Sequence, residues 1–97
     1  EKLLRVAPRI LSRPELEDAG KDLLKHAVYW CAKEALIKFY GKKDLTLAKN
    51  LQIDSFTLGA SGQIIGRIIV NTVVTVVPLS YQVFTDFVMV HTAHKTN

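Results

Sequence analysis

Three charged side chains fall on one face of a helical segment in the first half of this 97-residue sequence. At about 100° per residue, Lys33, Glu34 and Lys38 lie in one arc with Trp30 and Ile37. Glu34 precedes Lys38 by four residues, the order that favours an ion pair on a helix surface. A carboxylate between two ammonium groups could bind phosphates or an acidic protein, but the same pattern is typical of a solvated helix face. Periodicity alone leaves both interpretations open.

The helix that carries these residues has clear end signals. It is predicted to run from about residue 21 to residue 40, because Gly20 interrupts the chain before it. Gly41 follows as a left-handed terminator, and Lys42 and Lys43 lie near the negative end of the helix dipole. The opposite face is apolar and is predicted to face the core; its members are Leu24, Val28, Ala32, Ala35, Leu36 and Phe39.

A shorter helix is predicted to begin at Ser12. The order Ser12, Arg13, Pro14, Glu15 fits a capping box, in which the hydroxyl accepts a backbone N–H and Glu15 returns to the N-cap N–H. Proline is tolerated in the first turn. Two helices therefore occupy the first half of the chain.

The second half is rich in β-branched residues and predicts a sheet. Alternation along residues 51–58 slips near Asp54 and Ser55, which predicts a bent strand with a bulge. Residues 63–77 form an extended stretch that is apolar on both faces, so its second face needs a cover. A last strand region spans 81–92. Helices followed by three or more antiparallel strands give an α+β fold.

Composition narrows the function classes. The single cysteine, Cys31, cannot form an internal disulfide, and this favours a reducing, cytoplasmic location. The longest uncharged run, residues 68–85, contains too many polar and β-branched residues for a membrane span. The first 50 residues hold eleven of the 13 lysines and arginines. Basic and aromatic residues are not interleaved along one surface, which argues against a nucleic-acid binder.

The residues of the long helix resemble a known family. Residues 30–38, WCAKEALIK, match every fixed position of the Trp-x-x-Lys-Glu-Ala-x-x-Lys motif of 4′-phosphopantetheinyl transferases. Gly41 follows the second lysine as is common in that family, and residues 10–16 resemble its Leu-Ser-x-x-Glu helix start. Glu1 falls where the final residue of the family's Gly-(Ile/Val)-Asp-x-Glu segment would be.

This resemblance implies a reaction and a set of site residues. Members transfer 4′-phosphopantetheine from coenzyme A to a serine of an acyl or peptidyl carrier protein with Mg²⁺. The resemblance implies that Glu34 and Lys38 are catalytic and that Lys33 and Lys38 bind coenzyme A phosphates. It also implies that Glu1 and Glu34 bind the metal; the family's aspartate two positions before Glu1 is not in this sequence. Glu34 could instead deprotonate the serine.

The resemblance also bears on domain organisation. Residues 1–97 are predicted to form a single domain similar to the C-terminal half of the larger family members, whose site lies at the junction of two halves. The chain is therefore expected to pair with an upstream half or to self-associate, and to require neither nucleic acid nor membrane. A non-catalytic module, or an inactive fragment, that binds an acidic protein or a nucleotide-like polyanion is the alternative; such a module would not need Glu34.

Overall fold

The computed structural model describes residues 8–41 and 45–92 and has an α+β architecture. Its helices precede a four-stranded antiparallel sheet with the strand order β1-β2-β3-β4, which confirms the predicted fold class. The elements are α1 (Arg13–Ala19), α2 (Leu23–Tyr40), α3 (Leu47–Asn50), β1 (Leu51–Ile53), β2 (Ser61–Val70), β3 (Val73–Val83) and β4 (Val88–Thr92). Within the described ranges, no helix combines the length and the apolar composition needed to cross a bilayer.

Local signals set the ends of both predicted helices. Gly20 ends α1 with a φ of 56°, and Gly41 ends α2 in the left-handed region with a φ of 79°. The long helix begins two residues after the predicted start, because the Asp22 side chain accepts the N–H groups of Leu24 and Lys25 at 3.0 and 3.2 Å. An aspartate N-cap satisfies donors that have no partner inside the helix. Both helix predictions are thus confirmed, with this correction.

The predicted extended stretch 63–77 is wrong as one strand, because a tight turn divides it into β2 and β3. Asn71 and Thr72 have φ values of 50° and 67°, the positive values that a two-residue hairpin turn requires. The turn pairs Val70 with Val73, and the resulting hairpin is the longest ladder of the sheet. The predicted last strand region 81–92 is divided as well, since residues 84–87 separate the end of β3 from β4.

The predicted bent strand at 51–58 is also shorter than expected. β1 ends at Ile53, although the Asp54 N–H still donates to Ile65 at 2.9 Å. Beyond this point Phe56 packs between the rings of Tyr29 and Tyr81, at centroid distances of 5.0 and 5.6 Å. After Asp54 the chain is held against the core by packing of the Phe56 ring and not by strand pairing.

One face of the sheet and the inner side of α2 form the core. Alternate residues of the strands point inward, and the fully buried members include Leu36 from the helix, Ile68 from β2 and Leu79 from β3. The other face of the hairpin stays open: Val74 and Val76 are 50% and 51% exposed. The cover that the sequence predicts for this face is not supplied by the described residues.

Gly66 lets α2 approach the sheet, so Gly66→Ala should destabilise the fold. An added Cβ would lie 2.9 Å from Leu36 Cδ2 and 3.2 Å from Leu79 Cδ1, and both leucines are fully buried. Overpacking of this kind costs about 1–3 kcal/mol of unfolding free energy, measurable by urea denaturation. Gly59→Ala is the control, because its nearest neighbour would be 3.6 Å away. Equal stability of the two variants would show that the helix does not pack closely here.

Candidate functional site

A cleft of about 700 Å³ runs between α2 and the edge strand β4. The helix contributes side chains from its second half, and the strand contributes one wall; the lining residues are Cys31, Glu34, Ala35, Lys38, Phe39 and residues 87–92. Small-molecule sites commonly have volumes of about 300–1,000 Å³. The cleft is therefore large enough for a cofactor-sized ligand.

Glu34 and Lys38 are the charged residues of α2 that line this cleft. Both are exposed, and they lie on successive turns of the helix. In the part of the chain that the structure describes, neither forms an ion pair with the other or with a third residue. Their charges therefore remain available to a ligand in the cleft.

Lys33 does not share this exposed face, so the predicted patch of three charges is wrong. Its side chain is 0% exposed, and its ammonium group points into the protein interior. The group donates to the carbonyl oxygens of Ile10 and Leu47 at 2.8 and 2.7 Å and pairs with Glu15 at 2.7 Å. Because an ammonium has three N–H donors, these contacts leave none for a phosphate. This placement argues against the cofactor-binding role predicted for Lys33.

Glu15 provides the counter-charge for the buried ammonium group of Lys33. Its carboxylate is 1% exposed and also accepts the backbone N–H of Ser12 at 2.7 Å and that of Ile53 at 2.6 Å. The first of these contacts is the Glu15 half of the predicted capping box. Burial lowers the pKa of Lys33 below its ordinary value, while the Glu15 carboxylate opposes that decrease. Sequence reasoning identified Glu15 only as a helix cap, because its contact with Ile53 spans 38 residues.

Cys31 lies beside Glu34 in the cleft and is half-buried. Burial raises the pKa of its thiol, and the negative charge of Glu34 raises it further. A thiol of this kind stays protonated near neutral pH and is a poor nucleophile.

The reactivity of Cys31 should therefore report the charge on Glu34. In Glu34→Gln the nearby negative charge is gone, so the thiol pKa falls and alkylation by iodoacetamide at pH 8 should accelerate by about twofold or more. The rate is measured by mass spectrometry across a pH series. Glu17→Gln, which removes an exposed carboxylate of α1, is the matched control. Equal rates in both variants would place the Glu34 charge away from the cleft thiol.

The sequence predicts two metal ligands, Glu34 and Glu1. Of these, Glu34 lies at the cleft, and Glu1 lies outside the described residues. Within residues 8–41 and 45–92, no three His, Cys, Asp or Glu side chains are grouped closely enough to hold a metal ion. Mg²⁺ commonly takes only one or two protein carboxylates and completes its shell with phosphate oxygens and water. A single exposed carboxylate beside an open cleft fits that requirement.

Comparison with known proteins supplies one positive finding. The family model of the 4′-phosphopantetheinyl transferase superfamily matches residues 1–89. No curated protein and no solved structure gives a significant match. The matched segment contains α1, α2, α3 and most of the sheet, including Glu34 and Lys38.

Proposed function

Since the chain belongs to the 4′-phosphopantetheinyl transferase superfamily, we propose that it transfers 4′-phosphopantetheine from coenzyme A to a serine of an acyl or peptidyl carrier protein. The observation that carries this proposal is the placement of Glu34 and Lys38 side by side on the exposed face of α2, where both line one cleft. A carboxylate and an ammonium at this spacing suit a phosphate-bearing substrate.

The proposed reaction concentrates negative charge on a diphosphate. The serine oxygen attacks the β-phosphorus of coenzyme A and loses its proton. The bond from that phosphorus to the bridging oxygen then breaks, and adenosine 3′,5′-bisphosphate leaves. Lys38 stabilises the charge that develops on the phosphate oxygens, because a lysine ammonium on a flexible stem acts as a movable point charge.

Glu34 has two roles open to it. It would hold Mg²⁺, with Glu1 as a second ligand by family resemblance, or it would accept the serine proton directly or through water. When bound, the metal would neutralise part of the diphosphate charge. Both roles require an ionised carboxylate that reaches the cleft, and the exposure of Glu34 supports either one.

The proposal extends to partners and location. The carrier protein and coenzyme A are the expected partners, and an adjoining half or a second copy would complete the site. The open apolar face at Val74 and Val76 supports such an association, because an apolar surface of this kind gains stability when it is covered. The single cysteine supports a reducing, cytoplasmic location.

A transfer assay tests the proposed function. An apo carrier protein is incubated with coenzyme A, Mg²⁺ and the chain, and the intact carrier is weighed by mass spectrometry. We expect the mass of one phosphopantetheine on the carrier and none when its acceptor serine is replaced by alanine. A carrier that stays unmodified even when an upstream half is supplied, together with saturable coenzyme A binding, would identify a binding module instead.

A further inference from the structure

We propose that the buried pair of Glu15 and Lys33 is a positioning device that holds Glu34 and Lys38 at the cleft, and that Lys33 does not bind phosphate. This inference rests on the proposed function for its activity readout. It assigns Glu15, which lies outside the cleft, a role in setting the geometry of the reaction.

The pair joins segments that are distant in the sequence. Lys33 donates to Ile10 and Leu47, and Glu15 accepts from Ser12 and Ile53, all at 2.6–2.8 Å. Together with the ion pair at 2.7 Å, these contacts link α2 to the start of α1, to α3 and to the end of β1. The pair therefore fixes the helix relative to several neighbouring segments at one point.

The buried pair lies next to Glu34 along α2, so it can control the orientation of the side chains at the cleft. Lys33 directly precedes Glu34, and the two side chains leave the helix about 100° apart. Apolar contacts along the buried side of the helix are non-directional and allow small rotations about its axis. Hydrogen bonds tolerate much less change in distance and angle. The buried polar contacts of Lys33 thus fix the rotation of α2 about its axis, which the apolar contacts alone do not fix.

A small rotation would matter for the chemistry. Side-chain ends lie about 5–6 Å from the axis of a helix, so a rotation of about 10° moves a carboxylate by about 1 Å. A displacement of about 1 Å at a reacting centre can reduce a rate by about 10²-fold. Loss of the pair is therefore expected to lower kcat while leaving the binding of coenzyme A largely intact.

Phosphate binding by Lys33 predicts a different outcome. The ammonium would have to leave Glu15, so a carboxylate that is 1% exposed would remain buried without its counter-charge. If it did bind phosphate, removing Lys33 would chiefly raise the KM for coenzyme A, and Glu15 would have no part in the reaction. The separation of kcat from KM distinguishes the two roles.

The test replaces the pair by a neutral one. In Lys33→Met/Glu15→Gln the buried charges are removed together, and Gln keeps an acceptor for a backbone N–H. We expect kcat for carrier modification to fall by about 10- to 100-fold, with the KM for coenzyme A within about threefold of wild type. The control is Lys25→Met/Asp18→Asn, which removes a more exposed ion pair of 2.9 Å between α1 and α2. This control should keep kcat within about threefold.

One further measurement distinguishes failure of this inference from failure of the proposed function. If the wild type transfers and the double variant keeps its kcat, the positioning role is wrong and the proposed function stands. If the wild type does not transfer even when an upstream half is supplied, the proposed function fails, and amide NMR shifts decide the positioning role. Shifts that change at residues 88–92 in the double variant but not in Lys25→Met/Asp18→Asn support it, and unchanged shifts there overturn it.

A measurement on the wild type covers the case in which the double variant does not fold. Amine acetylation of the native chain, mapped by mass spectrometry, should modify the exposed Lys38 and leave Lys33 unmodified. Added coenzyme A should protect Lys38 without affecting Lys33. Acetylation of Lys33 that coenzyme A suppresses would instead identify it as a phosphate ligand and overturn the inference.

Discussion

Lys33→Met should lower the unfolding free energy by about 3–5 kcal/mol, the range found when one partner of a buried ion pair is removed. The Glu15 carboxylate, 1% exposed, would lose its counter-charge but keep its buried position. The carbonyl groups of Ile10 and Leu47 would also lose a donor. Because small domains have only about 5–15 kcal/mol of stability, the variant should be close to unfolding at 37 °C. Urea denaturation followed by circular dichroism gives the measurement.

The matched variants separate charge burial from the loss of a lysine. Lys21→Met replaces an exposed lysine between α1 and α2 and should change stability by no more than about 0.5 kcal/mol. The double variant Lys33→Met/Glu15→Gln should recover much of the loss, because neutral replacement of both partners removes the uncompensated charge. If Lys33→Met were as stable as Lys21→Met, Lys33 would not be buried in a charged pair.

Glu34→Gln should reduce phosphopantetheine transfer by at least about 10²-fold, because an amide cannot take a proton from the serine and is a poor ligand for Mg²⁺. Gln has nearly the same size and Glu34 is exposed, so the stability of the fold should change by less than about 0.5 kcal/mol. Initial rates of carrier modification at saturating coenzyme A measure the effect.

Glu17→Gln provides the comparison for this loss. Glu17 is an exposed carboxylate on α1 that pairs weakly with Arg13 at 3.8 Å, and it does not line the cleft. Its replacement should leave the transfer rate within about twofold of wild type. Similar rates for the Glu34 and Glu17 variants would mean that neither metal binding nor proton transfer depends on Glu34.

Features set by neighbouring residues could be predicted from the sequence. The capping contact at Ser12 and the glycines at 20 and 41 act within one or two turns of a helix, so local sequence determines both helices closely. The break between β2 and β3 was missed, because Asn71 and Thr72 sit in a run of β-branched residues that resembles one continuous strand. The positive φ values of these two residues, which form the turn, cannot be read from such a run of residues.

The candidate site likewise has a part that local sequence predicts and a part that it does not. Glu34 and Lys38 were predicted on one helix face, and both line the cleft, because the helical period places residues four apart on the same side. Lys33 was misplaced because its partner Glu15 is 18 residues away and is brought to it by the packing of α1 against α2. Periodicity assigns an isolated lysine to the surface, and only the folded structure reveals the buried carboxylate that stabilises its charge.

The cleft can be tested as the phosphate and metal site by adding Mn²⁺ and coenzyme A to the ¹⁵N-labelled chain. The paramagnetic ion broadens the amide signals of residues near it. We expect broadening at residues 34, 35 and 38 and across the facing strand at 88–92, with much less in Glu34→Gln. Broadening centred elsewhere, or equal broadening in the variant, would contradict the placement of the reacting diphosphate beside Glu34.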